Sequence, residues 1–108
     1  MKIRYRRFGN DEKTYLAEVN VLIFVSLCKF RKKPTKETTG DATKLVEDYK
    51  KKGIKVLNWY WTLGRYDVVF IFEAASEKEA MKTAMGVSEW VAAETLVAIP
   101  RQEALGLL

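Results

Sequence analysis

The chain has 108 residues, 48% of them apolar and 31% charged, with a formal net charge of +5. That length fits one domain and leaves no room for two independent cores, and the globular composition excludes a disordered chain. Histidine is absent and cysteine occurs once, as Cys28, which excludes Ser-His and Cys-His catalysis, histidine-built zinc sites and an intramolecular disulfide.

From this ligand inventory no metal and no cofactor are expected. The basic balance permits attraction to polyanions without demonstrating it. The longest apolar run, Val19 to Cys28, is interrupted by Asn20 and Ser26 and is about half the length of a membrane span. The amino terminus is charged but lacks an apolar core and a small-residue cleavage site, so no signal peptide is expected. The lone cysteine fits a cytoplasmic protein.

In chain order, residues 1–18 read as a basic extension. Lys2, Arg4 and Arg6 alternate with Ile3 and Tyr5, Gly9-Asn10-Asp11 is a turn signal, and a hairpin returning through Thr14-Tyr15-Leu16 is one solution. The domain is expected over 19–108. Its first core strand runs from Val19 to Phe30, with Val21, Ile23, Val25 and Leu27 on one face and Leu22, Phe24, Ser26 and Cys28 on the other; both faces need cover. A basic loop over 29–40 precedes a helix capped by Asp41 or Thr39. Ala42, Leu45, Val46 and Tyr49 form its apolar stripe, Lys50 to Lys52 suit its negative end, and Gly53 stops it.

Two aromatic strands follow, about 54–63 and 66–74, joined at Leu63-Gly64-Arg65-Tyr66. Ser76 and Glu79 form a capping-box pattern for a second helix with Ala80, Met81, Ala84 and Met85 on its apolar face, ending at Gly86 or Ser88. Ala92 to Ile99 is the last strand, closed by Pro100, and the tail from 101 carries no signal. Strand, helix, strand, strand, helix, strand is the order of an α+β, ferredoxin-like βαββαβ domain: a four-stranded antiparallel sheet with two helices on one face. The sheet's other face is then bare and apolar, and such a patch marks a contact surface. Self-association, sheet against sheet, is the simplest cover.

Several short motifs at this point resemble the GYD domain family. Gly64-Arg65-Tyr66-Asp67 is similar to the Gly-x-Tyr-Asp signature from which the family takes its name. Val68-Val69, Phe72-Glu73-Ala74, Glu94-Thr95-Leu96 and the opening Val25-Ser26-Leu27-Cys28-Lys29-Phe30 follow the same pattern over about residues 20–100. The chain departs from it at Glu73-Ala74-Ala75, where relatives often carry a Pro-Asp pair after the Glu-Ala, and at Val97, where an arginine is common. The resemblance implies a small cytoplasmic protein of the dimeric α+β barrel type. It implies no reaction.

Each candidate residue has a structural and a functional reading. Gly64 suits a turn that needs positive φ. Asp67 either accepts backbone N–H bonds at the strand start or, with Arg65, faces a cavity and binds or deprotonates a ligand. Glu73 either marks an exposed strand end or pairs with Glu94 for acid–base work, although their strands are not neighbours in this order. Trp59 and Trp61 share a strand phase, so both point to one face, onto the helices or into a dimer contact. Cys28 reads as a buried packing residue.

The function expected is a self-associating, small-molecule-binding or assembly module. Its pocket is expected between the sheet and its partner, lined by aromatics including Tyr60, with Arg65, Tyr66 and Asp67 near the mouth. Two alternatives stand beside it. One is a cofactor-free enzyme of monooxygenase or isomerase type, which needs an enclosed polar pocket. The other is a nucleic-acid binder using Lys29, Arg31, Lys32, Lys33 and Lys36, although the glycine-aromatic octapeptide of RNA-recognition modules is missing.

Overall fold

The computed structural model describes residues 2–7 and 15–108, with side-chain surroundings from Val21 onward. Its elements are β1 (Lys2–Arg7), β2 (Tyr15–Phe30), α1 (Lys36–Lys51), β3 (Lys55–Trp61), β4 (Val68–Ala74), α2 (Glu77–Gly86), β5 (Val91–Ala98) and α3 (Arg101–Leu105). The domain sheet runs β3-β4-β2-β5, every neighbouring pair antiparallel. This is the ferredoxin-like order, in which β2 and β4 occupy the centre.

The pleat assigns the faces. Phe24 stands opposite Phe72 on β4 and Val97 on β5, while Val25 stands opposite Ile71 and Leu96. The Phe24 face meets the helices: Tyr49 of α1 and Ala80 of α2 join Leu22, Phe24, Phe72 and Ala74 in one buried cluster. Aromatic rings continue that layer, with Phe24 stacked on Phe72, Phe72 edge-on to Phe70, and Phe70 tilted against Trp59 at 5.4 Å. The other face carries Val21, Ile23, Val25, Leu27, Val69 and Ile71, all half-buried, with Tyr60 and Leu96 exposed beside them.

Register in β3 is interrupted once. Val56 faces Phe72 and Asn58 faces Ile71, so Leu57 is an extra residue in a β-bulge. The bulge puts Val56, Trp59 and Trp61 all on the helix side, which settles the direction of the two tryptophans. Asn58 and Tyr60 point to the other face.

The amino-terminal hairpin forms: β1 pairs with β2 from Lys2 opposite Val21 to Arg7 opposite Tyr15. The expected turn at Gly9-Asn10-Asp11, and Thr14, lie outside the described residues. The long strand starts at Tyr15, ahead of the expected Val19, because its first half has β1 as a partner.

Helix α1 also starts earlier than Asp41 or Thr39. Thr35 is the N-cap, and its hydroxyl and that of Thr38 each accept the other residue's backbone N–H, a reciprocal capping box. The stripe of Ala42, Leu45, Val46 and Tyr49 faces inward as expected, and Gly53 ends the element at φ +96°. In α2, Ser76 caps by accepting from the Glu79 N–H at 3.3 Å. The Glu79 carboxylate does not complete a box; it pairs with Lys82 at 3.3 Å. Pro100 ends the last strand and also opens the short helix α3, in a tail where no element was expected. Among the described residues no helix is long and apolar enough to cross a membrane.

Candidate functional site

The β3–β4 turn is held by hydrogen bonds on both sides of a glycine. Gly64 has φ +97°, a conformation that side chains disfavour. Around it, the Thr62 hydroxyl donates to the Tyr66 carbonyl at 2.7 Å and the Thr62 N–H to the Asp67 carbonyl at 2.8 Å. Asp67 then stitches the turn to the end of β2. Its N–H donates to the Cys28 carbonyl and its Oδ2 accepts from the Phe30 N–H, both at 2.8 Å. The carboxylate thus continues the β2–β4 ladder one step past the strand.

Tyr66 and Arg65 project towards the open face. The Tyr66 hydroxyl donates to Glu94 Oε2 at 2.8 Å, and this bond is the first cause that holds the phenol above its ordinary pKa. The Arg65 guanidinium lies 5.5 Å over the Tyr66 ring, within cation–π range. Tyr60 occupies the same face, where its hydroxyl accepts from the Asn58 amide at 2.8 Å. The structure therefore joins Tyr66 to Glu94, lays Arg65 over the Tyr66 ring, commits Asp67 to backbone, and leaves Tyr60 with Asn58.

Glu73 and Glu94 do not converge, since their strands flank β2 on opposite sides. Glu73 is also not an exposed strand end. It is buried on the central strand β4, with Ile23 opposite it on one side and Lys55 on the other.

A cavity of about 100 Å³ lies on the helix side of the sheet. Trp59 and Trp61 of β3, Phe70 of β4 and Cys28 and Phe30 of β2 form its sheet wall. Thr38, Thr39, Ala42 and Val46 of α1 form its roof, and Val87 and Trp90 close the side next to α2. Phe30 and Trp61 meet edge to face at 5.2 Å. Lys32 and Lys33, both exposed, lie where the lining meets solvent. Below it, a second hollow of about 30 Å³ shares Cys28, Phe70 and Val87 and reaches Ser26, Tyr49 and Thr83. Among the described residues no carboxylate lines either space.

Burial pushes the Cys28 thiol up to about 11, so it is protonated at neutral pH where it forms part of the wall. Tyr60, Arg65, Tyr66 and Asp67 are not part of this lining. Sequence reasoning missed the cavity, although the shared phase of Trp59 and Trp61 was a usable signal. The unknown was the start of α1, which brings Thr38 and Thr39 over them.

Sheet order, helix placement and the glycine turn define an α+β domain of ferredoxin-like class. Within that class the chain belongs to the GYD domain family, whose model matches residues 24–108. No curated protein and no solved structure matches the chain.

Proposed function

We propose that this GYD domain protein is a cytoplasmic, self-associating module in which two copies pack open sheet face against open sheet face, as a dimeric α+β barrel. The observation that carries the reading is the row Leu96, Val25 and Ile71, flanked by Ile23, Leu27 and Val69, on a face that neither α1 nor α2 covers. A second copy presents the same flat apolar row, and a two-fold axis closes the pair without exposing another such face. The β1–β2 hairpin supports this. It extends beyond the sheet's paired strands, and an isolated two-stranded ribbon is marginal in water unless something packs on it. A small molecule held between the sheets meets Tyr60 and, near the mouth, Arg65 and Tyr66, with Asp67 fixing the turn that carries them.

The test is oligomeric state by native mass spectrometry and light scattering at micromolar concentration. The wild-type chain is expected as a dimer or larger even assembly. Val25→Lys is expected as a monomer with an unchanged far-ultraviolet spectrum, because Val25 sits at the centre of the face. A monomeric wild type, or a Val25→Lys variant that assembles as before, refutes the reading.

A further inference from the structure

The cavity under α1 lies on the opposite side of the sheet from the surface proposed for self-association, and it needs an account of its own. Among the described residues its walls are mostly aromatic and aliphatic, its one sulfur is a protonated thiol, and its charged lining residues are both lysines. All three tryptophans of the chain line it. From these features we infer that the cavity binds a compact organic anion: a single aromatic ring bearing one carboxylate.

Size, lining and charge each narrow the class. An engineered apolar cavity of about 150 Å³ accepts benzene, whereas drug-sized ligands need roughly 300 Å³ or more. At about 100 Å³, with the smaller hollow below it, this space suits one ring and not a fused system. Ring edges and faces are on offer from Trp59, Trp61 and Phe30, which favours an aromatic guest over a flexible chain. For the head group the signs agree. Glu89 stands 3.7 Å from Lys32, while Lys33 has no acidic partner among the described residues. The first turns of α1, whose end carries partial positive charge, supply Thr38 and Thr39 to the same lining. A carboxylate at the solvent side thus meets cationic groups, and the ring is taken from water. A cationic guest would meet the reverse.

The inference does not rest on self-association, and its test separates the two. Benzoate, benzyl alcohol and benzylamine share a ring and differ in charge. Each is titrated to roughly 10 mM, a ceiling suited to a ligand with so few heavy atoms, following tryptophan emission and heat. Benzoate is expected to perturb emission and bind at least about fivefold more tightly than benzyl alcohol, the effect of one solvent-side charge contact, with benzylamine weakest. Lys33→Glu should abolish that preference. Ala42→Leu, a helix-compatible substitution that fills the roof, should abolish all three responses while the far-ultraviolet spectrum is retained. Val25→Lys should bind benzoate as the wild type does, whatever its assembly. No response to benzoate, equal affinity for all three probes, or a Lys33→Glu variant with its preference intact would overturn the assignment.

Discussion

Replacing Gly86 by alanine tests the packing of α1 against α2 at a single contact. Gly86 is the last residue of α2 and has ordinary helical torsions available to any residue, so propensity alone favours alanine by up to about 1 kcal/mol. The space around it does not. A β-carbon at this position would fall inside the contact radius of Tyr49 Oη and only 3.2 Å from its Cζ. Tyr49 is buried, and its hydroxyl donates to the Thr83 carbonyl at 3.2 Å, so moving the ring aside breaks that bond. Overpacking of this kind costs about 1–3 kcal/mol. The net loss expected for Gly86→Ala is about 1–2 kcal/mol after the propensity gain.

Tyr49→Phe removes the clashing atom and one hydrogen bond, a loss of about 0.5–1.5 kcal/mol by itself. Combined, the two substitutions should be little worse than Tyr49→Phe alone, a favourable coupling of about 1–2 kcal/mol. Urea unfolding of the four proteins, followed by tryptophan emission at one fixed protein concentration, measures it, since any association would contribute to apparent stability. Additivity within about 0.5 kcal/mol, or a Gly86→Ala variant more stable than the wild type, would refute this account of the helix contact.

Asp67→Ala removes a charge-assisted acceptor from the Phe30 N–H and should cost about 1–2 kcal/mol, given partial exposure, with Asp67→Asn intermediate. Hydrogen exchange at the Phe30 amide is the local readout, and unchanged protection in the alanine variant would show that the bond does not form. The Cys28 thiol, pushed up to about 11 by burial from an ordinary 9.0, stays protonated in the fold after the unfolded chain has begun to ionise. Stability from this group is therefore complete below about pH 9 and falls as pH rises to about 11, by about 2–3 kcal/mol in total. Cys28→Ala should flatten that part of the pH dependence, and native Cys28 should react with a disulfide reagent at pH 8 far more slowly than the denatured chain. Equal rates would refute the burial argument.

The order of elements was legible because its signals are local and strong: Gly53 after a lysine-rich turn, Gly64 between aromatic strands, Ser76 ahead of α2. What stayed illegible depended on choices between equally apolar surfaces. In β2 the phases of Phe24 and Val25 are both hydrophobic, so periodicity alone does not say which one the helices take. The answer comes from Tyr49 and Ala80, contacts distant in sequence. The start of α1 was hidden for another reason. Thr38, Thr39 and Gly40 are poor helix formers, and a box with threonine in place of glutamate lacks the usual signature. Losing that first turn hid the cavity roof. Of the residues expected at a site, Arg65 lies over the ring of its neighbour Tyr66, and Tyr66 reaches Glu94, a partner that spacing along the chain could not reveal.

Leu57 has an evolutionary corollary. In a strand whose inward and outward residues strictly alternate, losing one residue turns every later side chain to the opposite surface. β3 already holds one residue more than its partner uses, with Val56 and Asn58 facing successive positions of β4. Deleting Leu57 would join those two directly and leave Trp59 and Trp61 aimed as they are. The position works as an expansion joint: chain length there is free to vary by one while everything downstream keeps its orientation.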